Sequence, residues 1–140
     1  MSAVARRYFE RGIQALQTND LETAQESLRA ALDLAPGFCN ARCAYAVALA
    51  KAGDAPRAAT VLRAGIPRAT SPIAAAALYA TLGDVCVIGG DFFGAEDAFN
   101  QAAQTPGFEV RVASGMARVQ ARLGRFRDMA LSLQRAASHK

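Results

Sequence analysis

A helix–turn–helix pattern in residues 78–106 constrains the fold most, because a similar pattern precedes and follows it. Apolar residues fall at helical spacing from Tyr79 to Cys86. A Gly-Asp pair that begins at Gly90 interrupts them, and the spacing then resumes until Pro106. The pattern predicts two short helices folded into a hairpin. Because one hairpin cannot bury its apolar face alone, its recurrence predicts a stack of hairpins.

The same pattern predicts four hairpins in total, within one all-α domain. They cover approximately residues 5–38, 39–75, 76–109 and 110–140. Corresponding turn residues are 34 positions apart, except that 37 positions separate Gly53 from Gly90, so the connection between these hairpins holds three extra residues. The sequence therefore predicts eight helices and no strands.

These features resemble the tetratricopeptide repeat, a helix–turn–helix unit of about 34 residues, over nearly the whole chain. In the first hairpin the resemblance rests on Tyr8, Gly12, Ala24 and Pro36, and similar residue types recur in the later hairpins. The resemblance implies an α-solenoid, in which the hairpins stack as a right-handed superhelix. It also implies a module that binds other proteins.

The fourth hairpin departs from the repeat pattern at its turn. Arg125 occupies the position at which the earlier turns have an acidic capping residue, and Met129 replaces an alanine. Because tetratricopeptide arrays commonly end in a polar capping helix, an uncovered last hairpin would leave an apolar face for a partner or for self-association. The residues predicted for this C-terminal docking face are Phe126, Met129, Ala130 and Leu133.

The composition is typical of one folded domain without a membrane span. Hydrophobic types make up 52% of the 140 residues, but no run of 18 consecutive apolar residues occurs. The beginning of the sequence lacks the apolar stretch of a secretory signal, so we expect a soluble, cytoplasmic protein. Arginine greatly outnumbers lysine and alanine is abundant, which indicates a GC-rich bacterial genome.

The residue types assemble neither an enzyme nor a metal site. Cys39 and Cys43 lie four positions apart, which on a helix separates their Cβ atoms by about 5 to 6 Å, farther than the roughly 3.8 Å that a disulfide needs. With no CxxC pair and a single histidine, His139, a four-ligand zinc site cannot be built. The glycine-rich residues 89–94 fit no nucleotide-binding motif. We expect no catalytic residues, no metal and no cofactor.

An arginine stripe is predicted on the first helix of the fourth hairpin. Arg111, Arg118 and Arg122 share one helix face, in a segment where seven basic residues against two acidic ones give a net charge of +5. The resemblance implies that the first helices of the hairpins line a concave groove. The predicted groove residues are the stripe together with Arg6, Phe9, Ile13, Asn40, Cys43, Val47, Lys51, Ala80, Asp84 and Val87. The alternative is that Arg118 pairs with Asp84 and the rest of the stripe is solvated surface.

The sequence therefore predicts a non-enzymatic adaptor or scaffold that binds an extended or helical segment of another protein in its groove. The arginines at one end of the groove predict a partner with acidic character. One alternative is a chaperone for a bacterial secretion or assembly substrate, because the apolar part of the groove is similar to that of tetratricopeptide chaperones. A second alternative is nucleic-acid binding through the basic C-terminal repeat, which is the weaker because the stripe lacks interleaved aromatic residues.

Overall fold

The computed structural model of the protein describes residues 2–138, and helices are the only regular secondary structure in that range. The predicted all-α class without strands is confirmed for these residues. One turn of 3₁₀ helix follows α4 at Ile66–Arg68. The seven α-helices are α1 (Ala3–Gln17), α2 (Leu21–Leu34), α3 (Cys39–Lys51), α4 (Ala55–Gly65), α5 (Pro72–Gly89), α6 (Phe92–Ala103) and α7 (Glu109–Ser138).

Each helix packs against the next helix along the chain, and α1, α3, α5 and α7 also contact one another in that order. Small residues permit these close approaches, as a Cβ added to Gly12 would overlap Leu28. The largest fully buried side chain is Phe99 of α6. Its ring lies against Gly83 of α5 and Gly115 of α7, and a Cβ on either glycine would overlap it. Phe99 therefore joins three helices at one point in the core.

The turns within the first three helix pairs follow one rule. Each has a residue with positive φ, which is 60° at Asn19, 98° at Gly53 and 80° at Gly90. An aspartate comes next and accepts a hydrogen bond from the amide three residues later, so it caps the following helix. The capping residues are Asp20, Asp54 and Asp91. The predicted turns at these three places are confirmed.

The fourth predicted turn is wrong. Helix α7 continues through Gly124 as a single helix of 30 residues, so the described chain has seven α-helices rather than eight. The reason lies in the next residue, because the guanidinium of Arg125 carries no acceptor with which to cap a new helix. A break there would leave backbone amides without partners, whereas a continuous helix keeps them bonded.

Gly124→Ala is expected to raise the free energy of unfolding by about 0.5 to 1 kcal/mol, because alanine favours the helix over glycine. No atom lies within 4 Å of the place that the added Cβ would take. Urea unfolding followed by circular dichroism measures the change. The control is Gly90→Ala, which should destabilise because φ there is 80°. A loss of stability in both variants would show that Gly124 forms a turn after all.

Helix α5 is the central helix of the fold and contacts α3, α4, α6 and α7. By length and average hydropathy it also meets the requirements of a membrane-spanning helix. Thr81 and Asp84 interrupt α5, so the sequence contains no run of 18 consecutive apolar residues. The helix meets the criterion for a membrane span only because its hydropathy is averaged over 18 residues. Packing against four other helices accounts for its apolar composition.

Candidate interaction surfaces

An apolar seam runs along α7 from its first turn to its last. Its members alternate at spacings of four and three residues, so they lie on one helix face. Val112, Val119 and Leu123 are buried in this seam. The later members, which we call the exposed seam, are all exposed to solvent. The full seam is Val112, Met116, Val119, Leu123, Phe126, Ala130, Leu133 and Ala137, of which the last four form the exposed seam.

The cover over the seam ends where α5 ends and α6 begins. Arg111 contacts Thr81 of α5. Arg118, two turns further along α7, contacts Asp84, so the two helices run in the same direction. Helix α5 stops at Gly89. Within the described part of the chain α7 contacts only α5 and α6, and its residues after position 124 are all exposed. The same face that is core in the first half of α7 is therefore surface in the second half.

The predicted C-terminal docking face lies on this second half of α7. Phe126 is 58% exposed, Met129 59% and Leu133 66%, and Ala130 is exposed as well. Phe126, Ala130 and Leu133 belong to the exposed seam, and Met129 lies at its edge. These four residues are on the continuation of the long helix, however, and not on the second helix of a hairpin as the sequence predicted.

The second half of α7 is basic. Four arginines and one aspartate give residues 122–138 a net charge of +3. Two of the arginines have partners on α6, since Arg122 lies 5.6 Å from the centre of the Phe92 ring and Arg127 is 3.8 Å from Glu96. The charged residues in this part of α7 are Arg122, Arg125, Arg127, Asp128 and Arg135.

Two of the three arginines of the stripe, Arg111 and Arg118, are bound to α5 rather than free. Asp84 accepts hydrogen bonds from Arg118 at 3.2 Å and from Arg111 at 3.4 Å. Arg111 also donates to the hydroxyl of Thr81 at 2.9 Å. The predicted pairing of Arg118 with Asp84 is confirmed. The rest of the stripe is not simply solvated surface, because Arg111 joins the same pairing and Arg122 lies over the Phe92 ring. Since the two arginine side chains are about half exposed, each ion pair contributes about 0 to 1 kcal/mol.

The other predicted groove residues differ in their accessibility. Ala80 is fully buried, so it offers no surface to a ligand and its assignment to the groove is wrong. The reason is the central position of α5, whose faces are covered by four helices. Phe9 packs its ring against Phe38 at 4.8 Å, which covers part of the apolar end. Half-buried positions are Phe9, Ile13, Cys43, Val47, Asp84 and Val87, and exposed ones are Arg6, Asn40 and Lys51.

The three cysteines are free thiols, and two of them hold α3 against α5. Cys39 donates a hydrogen bond to the carbonyl of Ala74, and Cys43 donates to that of Ala77. Burial raises the pKa of the Cys43 thiol from its ordinary 9.0 to about 11. No cluster that could hold a metal ion occurs within residues 2–138, and His139 lies outside the described residues.

The thiol of Cys43 is expected to make the protein less stable above pH 9. Because the folded state disfavours the thiolate, the unfolded chain releases this proton first, and stability is lost as the pH rises from 9.0 to about 11. The loss should be on the order of 2 kcal/mol. Urea unfolding across this pH range, compared between the unmodified protein and Cys43→Ala, measures it. Parallel stability curves for the two proteins would contradict the prediction.

Comparison with known proteins yields no match, either to a protein-family model or to a curated protein. The functional proposal therefore depends on the geometry of the described residues. Among the residues predicted for the groove, Arg111, Arg118 and Asp84 already form ion pairs with one another. The exposed seam is the surface whose apolar side chains have no cover within the described part of the chain.

Proposed function

We propose that this protein is a non-enzymatic interaction module that binds an amphipathic helix of another protein along the exposed seam. The observation that carries the proposal is the continuity of the seam. One helix face is core up to Leu123 and exposed from Phe126 onward, with the same spacing of apolar residues throughout. A partner helix laid on this face would extend the packing that α5 and α6 provide in the first half.

The energetics favour such docking. Residues 124–138 extend about 22 Å at the helical rise of about 1.5 Å per residue. A helix segment of this length is only marginally stable in water unless its apolar face is packed. Burying what remains exposed of Phe126, Met129 and Leu133 against a partner would contribute about 1 to 2 kcal/mol for each side chain. Docking therefore stabilises this half of α7 and binds the partner at the same time.

The charge of α7 favours a partner with acidic flanks over a second copy of the chain. Two copies of residues 122–138 would each bring a net charge of +3 to the contact. Helix α1 of a second copy would not complement the charge of α7 either. Its surface lined by Val4, Arg7, Tyr8 and Arg11 is basic as well. A partner helix with glutamate or aspartate beside an apolar stripe would complement both the apolar face and the positive charge of this part of α7.

The architecture that we infer is a solenoid of the tetratricopeptide type. The three turns that share a positive φ and a capping aspartate support it, as do the contacts between successive odd-numbered helices. In such a stack the helix after α7 would cover its apolar face. We propose that the partner helix packs on this face of α7 in the way that each earlier second helix packs on its first.

The test uses a designed helical peptide with leucine at heptad positions a and d and glutamate at the flanking positions. We expect saturable binding that weakens as salt is added, because part of the attraction is electrostatic. A matched peptide with lysine at the flanks should bind at least about tenfold more weakly. Fluorescence anisotropy measures both affinities, and sedimentation equilibrium measures self-association. Dimerisation of the protein with no binding of either peptide would assign the exposed seam to a second copy and contradict the proposal.

A further inference from the structure

A second surface, on a different part of the molecule, gathers positive charge around a cavity. It is an open depression of about 430 Å³ between α2, α3 and α4. Three arginines line it, and Asp33 is the only carboxylate among the lining residues, so the site has a net charge of +2. We call it the arginine pocket, and its arginines are Arg29, Arg42 and Arg57.

Arg42, which lines the arginine pocket, is a donor fixed by its own hydrogen bonds. Its two terminal nitrogens donate to the carbonyls of Val61 and Pro36, both at 3.1 Å. The side chain crosses Gly65, where a Cβ would overlap it. These contacts occupy one N–H of each terminal nitrogen and leave the others to a ligand. Since the guanidinium is already held in place, little side-chain entropy would be lost when a ligand binds.

Tyr45 supplies a second donor. It is 7% exposed, and its hydroxyl oxygen accepts a hydrogen bond from Arg57 at 3.4 Å. Because that oxygen is the acceptor, its own proton can be donated into the pocket. Within the described residues neither Arg57 nor Arg29 has a carboxylate within 4 Å, so both guanidiniums are available to an anion.

We propose that the arginine pocket binds a phosphate monoester dianion carried on a small apolar group. The two negative charges of a dianion balance the net charge of +2 at the site, and arginine forks match phosphate oxygens in a bidentate geometry. The apolar wall, formed by Leu32, Pro36 and Val61, would contact the group that carries the phosphate. The volume of about 430 Å³ suits a ligand larger than phosphate alone. The site is independent of the exposed seam.

Isothermal titration with phenyl phosphate at pH 7.5 tests this proposal, with phenyl sulfonate as a monoanion of similar shape. We expect saturable binding of the phosphate and at least about tenfold weaker binding of the sulfonate. A short peptide that contains phosphotyrosine is the second probe. Tighter binding of the peptide than of phenyl phosphate assigns the ligand to a protein side chain, and the reverse assigns it to a free small molecule.

The variants Arg29→Gln and Arg57→Gln should each weaken phenyl phosphate binding by about tenfold or more. Tyr45→Phe should weaken it by a smaller factor, since it removes one neutral donor. The control is Arg63→Gln, which removes the same charge from α4 outside the arginine pocket. An unchanged affinity for the control supports a specific site. The proposal is overturned if phenyl phosphate does not bind, or if Arg57→Gln and Arg63→Gln weaken it equally, because net charge alone would then explain the effect.

Discussion

Replacing Phe99 with alanine is expected to lower the free energy of unfolding by about 3 to 5 kcal/mol, near the upper end for a core substitution. The ring is fully buried and lies against two residues without side chains, Gly83 and Gly115. Neither glycine can move a side chain into the space that the ring leaves, so a cavity remains at the junction of α5, α6 and α7. The loss of packing adds to the loss of buried apolar surface.

The control for this variant is Phe93→Ala on the same helix. Phe93 is 69% exposed, so its replacement should change stability by no more than about 0.5 kcal/mol. Urea unfolding monitored by circular dichroism gives both values, provided that the denaturant dependence is the same in the two variants. Equal losses of stability would contradict the position of Phe99 in the core.

The double variant Phe126→Glu with Leu133→Glu is expected to weaken binding of the glutamate-flanked peptide by about 100-fold or more. Both side chains lie in the exposed seam and would become buried on binding. Burying two carboxylates against leucine is unfavourable, and two apolar anchors are lost as well. Because both side chains are exposed and lie outside the core, their replacement should leave the helical content unchanged.

A second double variant, Leu131→Glu with Ser132→Glu, serves as the matched control. It adds the same charge to the same helix, but on the side opposite the exposed seam. Leu131 is 51% exposed, so the control also removes one exposed apolar side chain, as the seam variant removes two. The control should retain binding within a few-fold, since only long-range repulsion acts on it. An equal loss in both double variants would mean that charge, and not the apolar face, governs binding.

The fold could be predicted from the sequence where local rules decide the structure. Asn19, Gly53 and Gly90 each precede an aspartate, and the backbone turns at all three places. Gly124 matches their period, but glycine permits a turn without requiring one. The missing aspartate at Arg125 was visible in the sequence. The period alone could not decide whether a weak turn or a continuous helix would be the more stable.

The candidate surfaces were only partly predictable, for a different reason. The exposed part of the docking face was found because apolar side chains at helical spacing mark it. The sequence did not predict that this face continues from Val119 and Leu123, because it predicted a turn at Gly124. The pairing of Asp84 with Arg111 as well as Arg118 depends on how far α7 is shifted along α5, which no local pattern encodes. The arginine pocket joins residues from three helices and is visible only in three dimensions.

The missing cap at Arg125 also determines whether the exposed seam can be reached at all. Gly124 supplies the glycine of a turn, but Arg125 does not supply the capping side chain. If a side chain that accepts amide hydrogen bonds stood at position 125, residues 126–138 could fold back beside the first half of α7, as each earlier second helix lies beside its first. The apolar face would then be occupied from within, in competition with any partner. Arg125 therefore favours the continuous helix, in which the exposed seam remains accessible to the partner that we propose.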